Sequence, residues 1–412
     1  MTVLTITARF PSLVQPWLVT QLIEIQRSGG ENRLFAGTAD TEVIPENVRK
    51  YGLDSKCEYI SISRIQRLAA LLKATLSISG FRAVARGLRR YARVLKSKDL
   101  SFGEKMSSLL ILQHMGINGI SIVHSQSEMM GSRLLPIAIA LDVPMVVTFH
   151  GLPPEGVRPI SARRRRAYTN VADVILLNTE FAKQQYISLG APAKKITIVP
   201  QGLRLDDFPF TERSINNGGP VELLSVGRFH PDKGQRYTIA AIKTLIDQGR
   251  NVRLHLVGNG PNRPMLEEYA EDLGLQDFVL FYSRLTDDEL RGLYRKVHVF
   301  VLASLKSKNQ FHEETQGVVL QEAQASGLIT IATATGGIPE CIDDGRAGFL
   351  VNDRSSDELA DKIAFVMDHV DQWPQWQEAG REWVETKFSV DVISKKVRAV
   401  YLNLVASAGR GH

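Results

Sequence analysis

Two glutamates bracket the run E-T-Q-G-V-V-L-Q-E, Glu314 to Glu322, with seven residues between them. The run follows an apolar stretch, Val299 to Leu302, and passes into A-Q-A-S-G, Ala323 to Gly327. That pattern reads as strand, loop and helix, with Gly317 near the helix start. A helix N-terminus carries unpaired N–H groups and a partial positive charge, so it suits a phosphate. Two carboxylates are poor phosphate ligands, because like charges repel. They suit the hydroxyls of sugars attached to that phosphate. Glu314 is expected in the loop and Glu322 about a turn and a half inside the helix. The pair points to a sugar nucleotide.

From Leu223 to Gly234 the chain reads L-L-S-V-G-R-F-H-P-D-K-G. An apolar strand there delivers Arg228 and Lys233 to the loop before the next helix. Two fixed cations suit a diphosphate whose leaving oxygen gains charge as a glycosidic bond breaks. The plainer alternative is a solvated loop with surface cations. His150 ends the apolar run V-V-T-F-H-G and could bond a sugar hydroxyl, shuttle a proton, or serve structure alone. The first strand-to-helix turn, Ala8 to Trp17, lacks a glycine pair and offers Arg9, Ser12 and Gln15 instead. G-N-G-P, Gly258 to Pro261, lacks the third glycine of a dinucleotide fingerprint and reads as a tight turn.

The elements that must position these groups alternate throughout. Strands are expected at Val3–Thr7, Arg33–Ala36, Ile120–Val123, Met145–Thr148, Val174–Leu177 and Ile196–Val199. A second series runs over Val221–Val226, Val252–Val257, Phe278–Phe281, Val297–Leu302 and Thr330–Thr333. Helical stretches such as Leu18–Arg27, Arg236–Gln248 and Asp357–Val370 fill the gaps, and Val390 to Val405 forms a last helix. This is α/β grammar, parallel sheets covered by helices. At 412 residues two domains are expected. The polar tract Ser214 to Pro220 reads as the linker, and the cleft between the domains as the ligand site.

Charge is divided unevenly. Residues 1–205 hold 27 Lys and Arg against 14 Asp and Glu, a net of +13 that leaves −7 for the remainder of a +6 chain. Ten basic residues and no acidic one lie between Tyr59 and Lys98. Phe81, Val84, Leu88, Tyr91 and Leu95 there follow one helical face, with Arg82, Arg86, Arg89, Arg90 and Arg93 on the other side. This predicts contact with an anionic membrane surface, reinforced by the run Arg163 to Arg166. Nothing resembling a nucleic-acid reading surface accompanies the charge. Cys57 and Cys341 have no metal-ligand spacing, and a reducing compartment is expected. The opening reads as a strand and no bilayer-spanning tract stands out, so the expected location is cytoplasmic, peripheral on the inner face of the membrane.

Taken together, these runs resemble the family 4 retaining glycosyltransferases of the GT-B fold, most closely from Val221 to Val351. The family's pattern is E-G-F-G-L-x-x-L-E, then A-M-A-S-G-x-P-V-x-A-T and G-G-x-x-E. Glu314 to Thr333 and G-G-I-P-E, Gly336 to Glu340, match it. Val226-Gly227-Arg228, Lys233-Gly234, G-N-G-P and D-G-R-A-G-F-L-V, Asp344 to Val351, match further family runs. Phe10-Pro11-Ser12 is similar to the F-P-x-x-S-E-T-F opening of capsule and exopolysaccharide members, and the whole resembles the colanic-acid type. The chain departs from the pattern in three places. The first loop lacks the glycine pair, Arg204 stands for an aspartate, and Thr315 and Gln316 replace a glycine and an aromatic.

The resemblance implies two Rossmann-like domains facing across a cleft. Residues 1–205 would form the acceptor domain and 206–385 the nucleotide-sugar donor domain, with 386–412 crossing back as a helix. It implies Glu314 at the donor sugar, Glu322 at the ribose, and Gly227, Arg228 and Lys233 at the diphosphate with Gly317 and Val318 amides. Gln316 would lie beside the sugar, and His150 matches the histidine of T-x-H-G near the transferred group. The implied donor is a UDP- or GDP-sugar, with no metal or other cofactor. The implied acceptor is a saccharide or a polyprenyl-diphosphate-linked one in bacterial polysaccharide assembly. The rivals are a nucleotide-sugar epimerase or phosphorylase of the same fold, and a non-catalytic polyanion-binding protein.

Overall fold

The structure is a computed structural model that describes residues 1–11, 16–39, 44, 46–59, 91–105, 119–152, 159–215, 218–283, 285–306 and 313–408. Among them, two parallel sheets divide the chain. The first contains β1 (Thr2–Arg9), β2 (Glu31–Thr38), β3 (Cys57–Tyr59), β4 (Ile122–Ser125), β5 (Met145–Phe149), β6 (Val174–Leu177) and β7 (Ile196–Ile198). Its order is β3-β2-β1-β4-β5-β6-β7. The second contains β8 (Val221–Val226), β9 (Val252–Val257), β10 (Val279–Tyr282), β11 (Val299–Leu302), β12 (Ile329–Thr333) and β13 (Phe349–Val351). Its order is β10-β9-β8-β11-β12-β13.

The near-continuous apolar strands exist because both faces of each sheet are covered: β11 and β12 are buried at every residue. Strand order reverses between β1 and β4 in one sheet and between β8 and β11 in the other. Loops leaving the carboxyl ends of strands at such reversals form a ligand crevice. Every expected strand is present. The edge strands β3 and β13 are additional; at three residues each they are too short to show a periodic pattern.

The crossing between domains lies earlier than the Ser214–Pro220 tract. Phe208 already packs against the second sheet's core, and the Arg213 guanidinium is buried, donating to carbonyls of Thr211, Ser326 and Tyr294. The crossing is instead a paired one. Leu203 bridges Ser389, with Leu203 N–H donating to Phe388 O at 2.8 Å and Val390 N–H donating to Leu203 O at 2.8 Å. The last helix, Val390–Ala408, then returns to the first sheet, where Ile393, Val397 and Tyr401 close a core with Val3, Ile122, Val146 and Leu176.

The basic stretch is corrected in part. Residues 91–96 are helical, but Val94 is the buried side chain and Leu95 is 44% exposed, so the apolar face is rotated from the expected one. Arg93 pairs with Asp142 at 2.8 Å. Arg82, Arg86, Arg89 and Arg90 lie outside the described residues. Nor is the Arg163–Arg166 run one open patch. Arg165 is buried against Glu128, at 2.6 and 3.1 Å, and Arg164 pairs with Glu104 at 3.0 Å. Among the described residues no helix is long and apolar enough to cross a membrane.

Candidate functional site

The loops leaving β8 and β11 meet at the second sheet's reversal. There the Lys233 ammonium pairs with the Glu314 carboxylate, both largely shielded from water. Two glycine positions make this meeting possible. Gly234 has φ of +63° and lies so close to Ala303 that a Cβ would strike its carbonyl oxygen. Gly336, with φ of +56°, meets the Glu314 carbonyl in the same way, and Gly337 N–H donates to that oxygen at 2.8 Å. The G-G of G-G-I-P-E therefore holds the loop that carries Glu314.

Arg228 stands more openly, 47% exposed and 3.6 Å from Asp232. Its carbonyl is held by Gln235 Nε2 at 2.7 Å, which fixes Gly227 and Arg228 above the strand end. Phe229, fully buried, exchanges main-chain hydrogen bonds with Asn259 and Asn262, so the G-N-G-P turn supports this loop. Glu322 lies inside the helix Val318–Ala325 and accepts from Tyr294 Oη at 2.9 Å. Burial pushes its carboxyl up to about 7, the Tyr294 hydrogen bond only partly opposing this. Gly317 caps this helix, and the Val318 N–H is turned onto Gln316 O at 3.0 Å.

Across the cleft the first domain presents His150 at the end of β5. Its ring lies 4.2 Å from the Trp17 ring, centroid to centroid. Gln201 Nε2 donates to His150 Nδ1 at 3.0 Å, and His150 Nε2 meets Gln126 Oε1 at 3.3 Å. Burial drives its pKa down to about 4, so the imidazole is neutral near pH 7. A cavity beside it is lined by Trp17, Gln21, His124, Gln126, Thr148 and Gln201, none of them charged at neutral pH, together with side chains of the last helix. Arg9 ends β1 at the same edge, and Ser12 and Gln15 lie outside the described residues.

The two departures beside Glu314 are interdomain groups. Thr315 Oγ1 donates to His150 O at 3.2 Å and accepts from Asn178 Nδ2 at 3.1 Å, while Thr179 Oγ1 donates to Thr315 O at 2.8 Å. Gln316 is 4% exposed, and its amide is turned to the main chain of Gln201 rather than into the cleft. Glu340, quoted from the sequence without a role, caps the helix Glu180–Ser188 of the opposite domain. Its carboxylate accepts from the N–H groups of Glu180 at 2.7 Å and Phe181 at 2.9 Å. Sequence reading missed Asn178, Thr179, Gln201 and Glu340 as contact residues. The only signal was their place, just past strand ends or in a family run.

Among the described residues no three His, Cys, Asp or Glu side chains converge to hold a metal ion.

Comparison with known proteins agrees with this geometry. The profile of Glycosyl transferases group 1 matches residues 208–383, and that of Glycosyltransferase Family 4 matches residues 75–207. WcaL of Salmonella typhimurium, assigned to colanic acid biosynthesis as a glycosyltransferase, is 24% identical over 95% of this chain and 97% of its own. A GDP-mannose-dependent alpha-(1-6)-phosphatidylinositol monomannoside mannosyltransferase of Mycobacterium tuberculosis is 27% identical over 58% of this chain. That match spans 64% of the mannosyltransferase, a little under two thirds of its length. Anabaena HepE, crystallised with UDP, superposes with a TM-score of 0.71 at 17% identity, covering 98% of this chain and 100% of HepE. With the group 1 and family 4 profiles abutting over its two domains and two Rossmann-like sheets facing one cleft, the chain is a glycosyltransferase of the GT-B fold.

Proposed function

We propose that this glycosyltransferase moves a hexose from a UDP- or GDP-sugar to a saccharide or polyprenyl-diphosphate-linked acceptor, with retention of anomeric configuration and without a metal. The observation that carries this reading is the Lys233–Glu314 pair at the β8/β11 reversal, one residue from the Thr315 contact to His150. An incoming diphosphate competes for the Lys233 ammonium. The sugar hydroxyls then take over the freed Glu314 carboxylate, so neither charge is left unpaired in a shielded site. Arg228 closes on the diphosphate from the open side, and Gly227 lets the main chain approach it. The ribose donates to Glu322. Neutral His150 brings no formal charge, and its N–H, at 3.3 Å from Gln126 Oε1, turns to a sugar hydroxyl by exchanging that partner. The departing phosphate takes the acceptor proton, so no separate enzymatic base is required.

Polysaccharide assembly as the setting is supported by the WcaL likeness, and a nucleotide-linked donor by the name of the mannosyltransferase. We place the acceptor on the first domain, and the enzyme peripherally on the inner membrane face through the basic stretch that includes Arg93. The test is incubation with UDP- and GDP-sugars, with and without saccharide and lipid-linked acceptors, followed by NMR of the product's anomeric proton. Retained configuration, formed only with an acceptor present, is the expected result. An inverted product overturns the stereochemical claim. Steady turnover of donor alone points to the epimerase or phosphorylase reading instead.

A further inference from the structure

We infer that Gln201 is a positioning residue for His150. Its side-chain amide fixes the proton of that imidazole on Nε2, and its main chain, clasped by Gln316, ties the ring to the loop that carries Glu314. The inference rests on the functional reading above for its kinetic consequence, but not for its structural content.

An amide nitrogen can only donate, so the 3.0 Å contact from Gln201 Nε2 makes His150 Nδ1 the acceptor. The proton must then sit on Nε2, facing Gln126 Oε1 at 3.3 Å. The far side of the chain agrees with that direction. Gln126 Nε2 donates to Gln21 Oε1 at 2.9 Å, and Gln21 Nε2 donates to Tyr401 Oη at 3.3 Å. Tyr401, on the returning helix, meets His124 Nδ1, and His124 Nε2 lies 2.7 Å from Thr148 Oγ1 and 3.3 Å from Gln126 Nε2. One donor sense runs from Gln201 through His150, Gln126 and Gln21 to Tyr401 on the last helix, so reversing the His150 tautomer would set donor against donor at Gln201.

Gln201 itself is gripped in two places. Its N–H donates to Gln316 Oε1 at 2.8 Å, and its carbonyl accepts from Gln316 Nε2 at 3.1 Å. Gln316 Nε2 also donates to Gln321 Oε1 at 3.1 Å, anchoring the clasp to the helix that follows Glu314. A side chain that bonds both main-chain groups of one residue across the domain boundary fixes position as well as distance. Gln316 thus couples the two halves of the site instead of touching the sugar.

The test combines histidine ¹⁵N NMR with kinetics on the full chain. His150→Asn assigns the resonances by removing one set. In the wild type His150 should show an unprotonated Nδ1 and a protonated Nε2. Gln201→Met should leave mixed tautomers, and Gln201→Glu should move the proton to Nδ1. In both variants kcat should fall about 100-fold while donor KM is unchanged, as expected of a misplaced rather than a missing contact. Gln316→Leu should reproduce the kcat loss. A wild-type spectrum with His150 protonated on Nδ1 overturns the inference whether or not any variant folds. So does a Gln201→Met enzyme with an unaltered tautomer and unaltered kcat. The spectra need no substrate, so absence of sugar transfer from every donor would sink the functional reading without touching the assignment of the proton.

Discussion

The two walls of the cleft differ in kind. The second domain lines its side with charge: Arg228 beside Asp232, Lys233 on Glu314, and Glu322 deeper in. The first lines its side with neutral groups: Trp17, Gln21, Gln126, Thr148, Gln201 and two histidines held uncharged by burial. Charge in a shielded site persists only when paired, and each cation named here has a carboxylate partner. Such pairs are ready to exchange partners with a ligand that carries both phosphates and hydroxyls. Amides and imidazoles offer direction without charge, which suits an uncharged sugar. On the function proposed, one wall is built for the activated donor and the other for the saccharide.

The largest effect that would break this comparison is at Glu314. Glu314→Gln keeps size and one acceptor oxygen but removes the charge. We expect transfer to fall roughly 100-fold or more, with a lowered Tm because the shielded Lys233 ammonium loses its carboxylate partner. Unchanged turnover would remove Glu314 from the charged wall's function.

Glu322 sharpens the comparison through pH. Its folded pKa, about 7, lies above the ordinary value of about 4.3, so the native state holds the proton across that interval. Below pH 7 the neutral acid is a poor acceptor for ribose hydroxyls, and donor affinity should rise as pH rises through 7. Donor titration across pH 5.5–8.5 checks this, with Glu322→Gln expected to flatten the curve. Linkage gives the opposite sign for the unliganded fold. A raised carboxyl contributes stability at low pH that is lost as pH climbs through 7. Glu322→Gln should therefore exceed wild type in Tm at pH 8 by about 2–4 °C, the gap narrowing toward pH 5.

A smaller effect belongs to Glu340, which bridges the walls by capping the helix Glu180–Ser188. Glu340→Ala should lower stability by about 1 kcal/mol and widen the cleft in small-angle scattering. Scattering identical to wild type would argue that this cap does not hold the domains together. The smallest belongs to Arg163, exposed on the helix Ala162–Val171. Arg163→Ala should change stability by less than about 0.5 kcal/mol, whereas Arg165→Ala strands Glu128 and should destabilise by about 3 kcal/mol.

The charged wall was legible in the sequence, and the neutral wall mostly was not. Glu314, Glu322, Arg228 and Lys233 belong to runs whose spacing joins a strand end to a helix start, so type and position carry the signal together. The strands were legible because burial on both faces leaves them continuously apolar. Gln21, Gln126, Gln201 and Tyr401 meet only through tertiary folding, and glutamine is common on any surface. The paired crossing at Leu203 and Ser389 was hidden for the same reason: its partner lies in a distant part of the chain. The Arg163–Arg166 run misled because a charge count ignores partners, and Glu104 and Glu128 arrive from elsewhere.

The division of labour between the walls is tested most directly by calorimetric titration of UDP- and GDP-sugars into wild type, Lys233→Met and Gln126→Leu. The account predicts that Lys233→Met weakens donor binding about 30-fold, near 2 kcal/mol, while Gln126→Leu leaves it unchanged. Donor affinity lost at Gln126 and kept at Lys233 would contradict it.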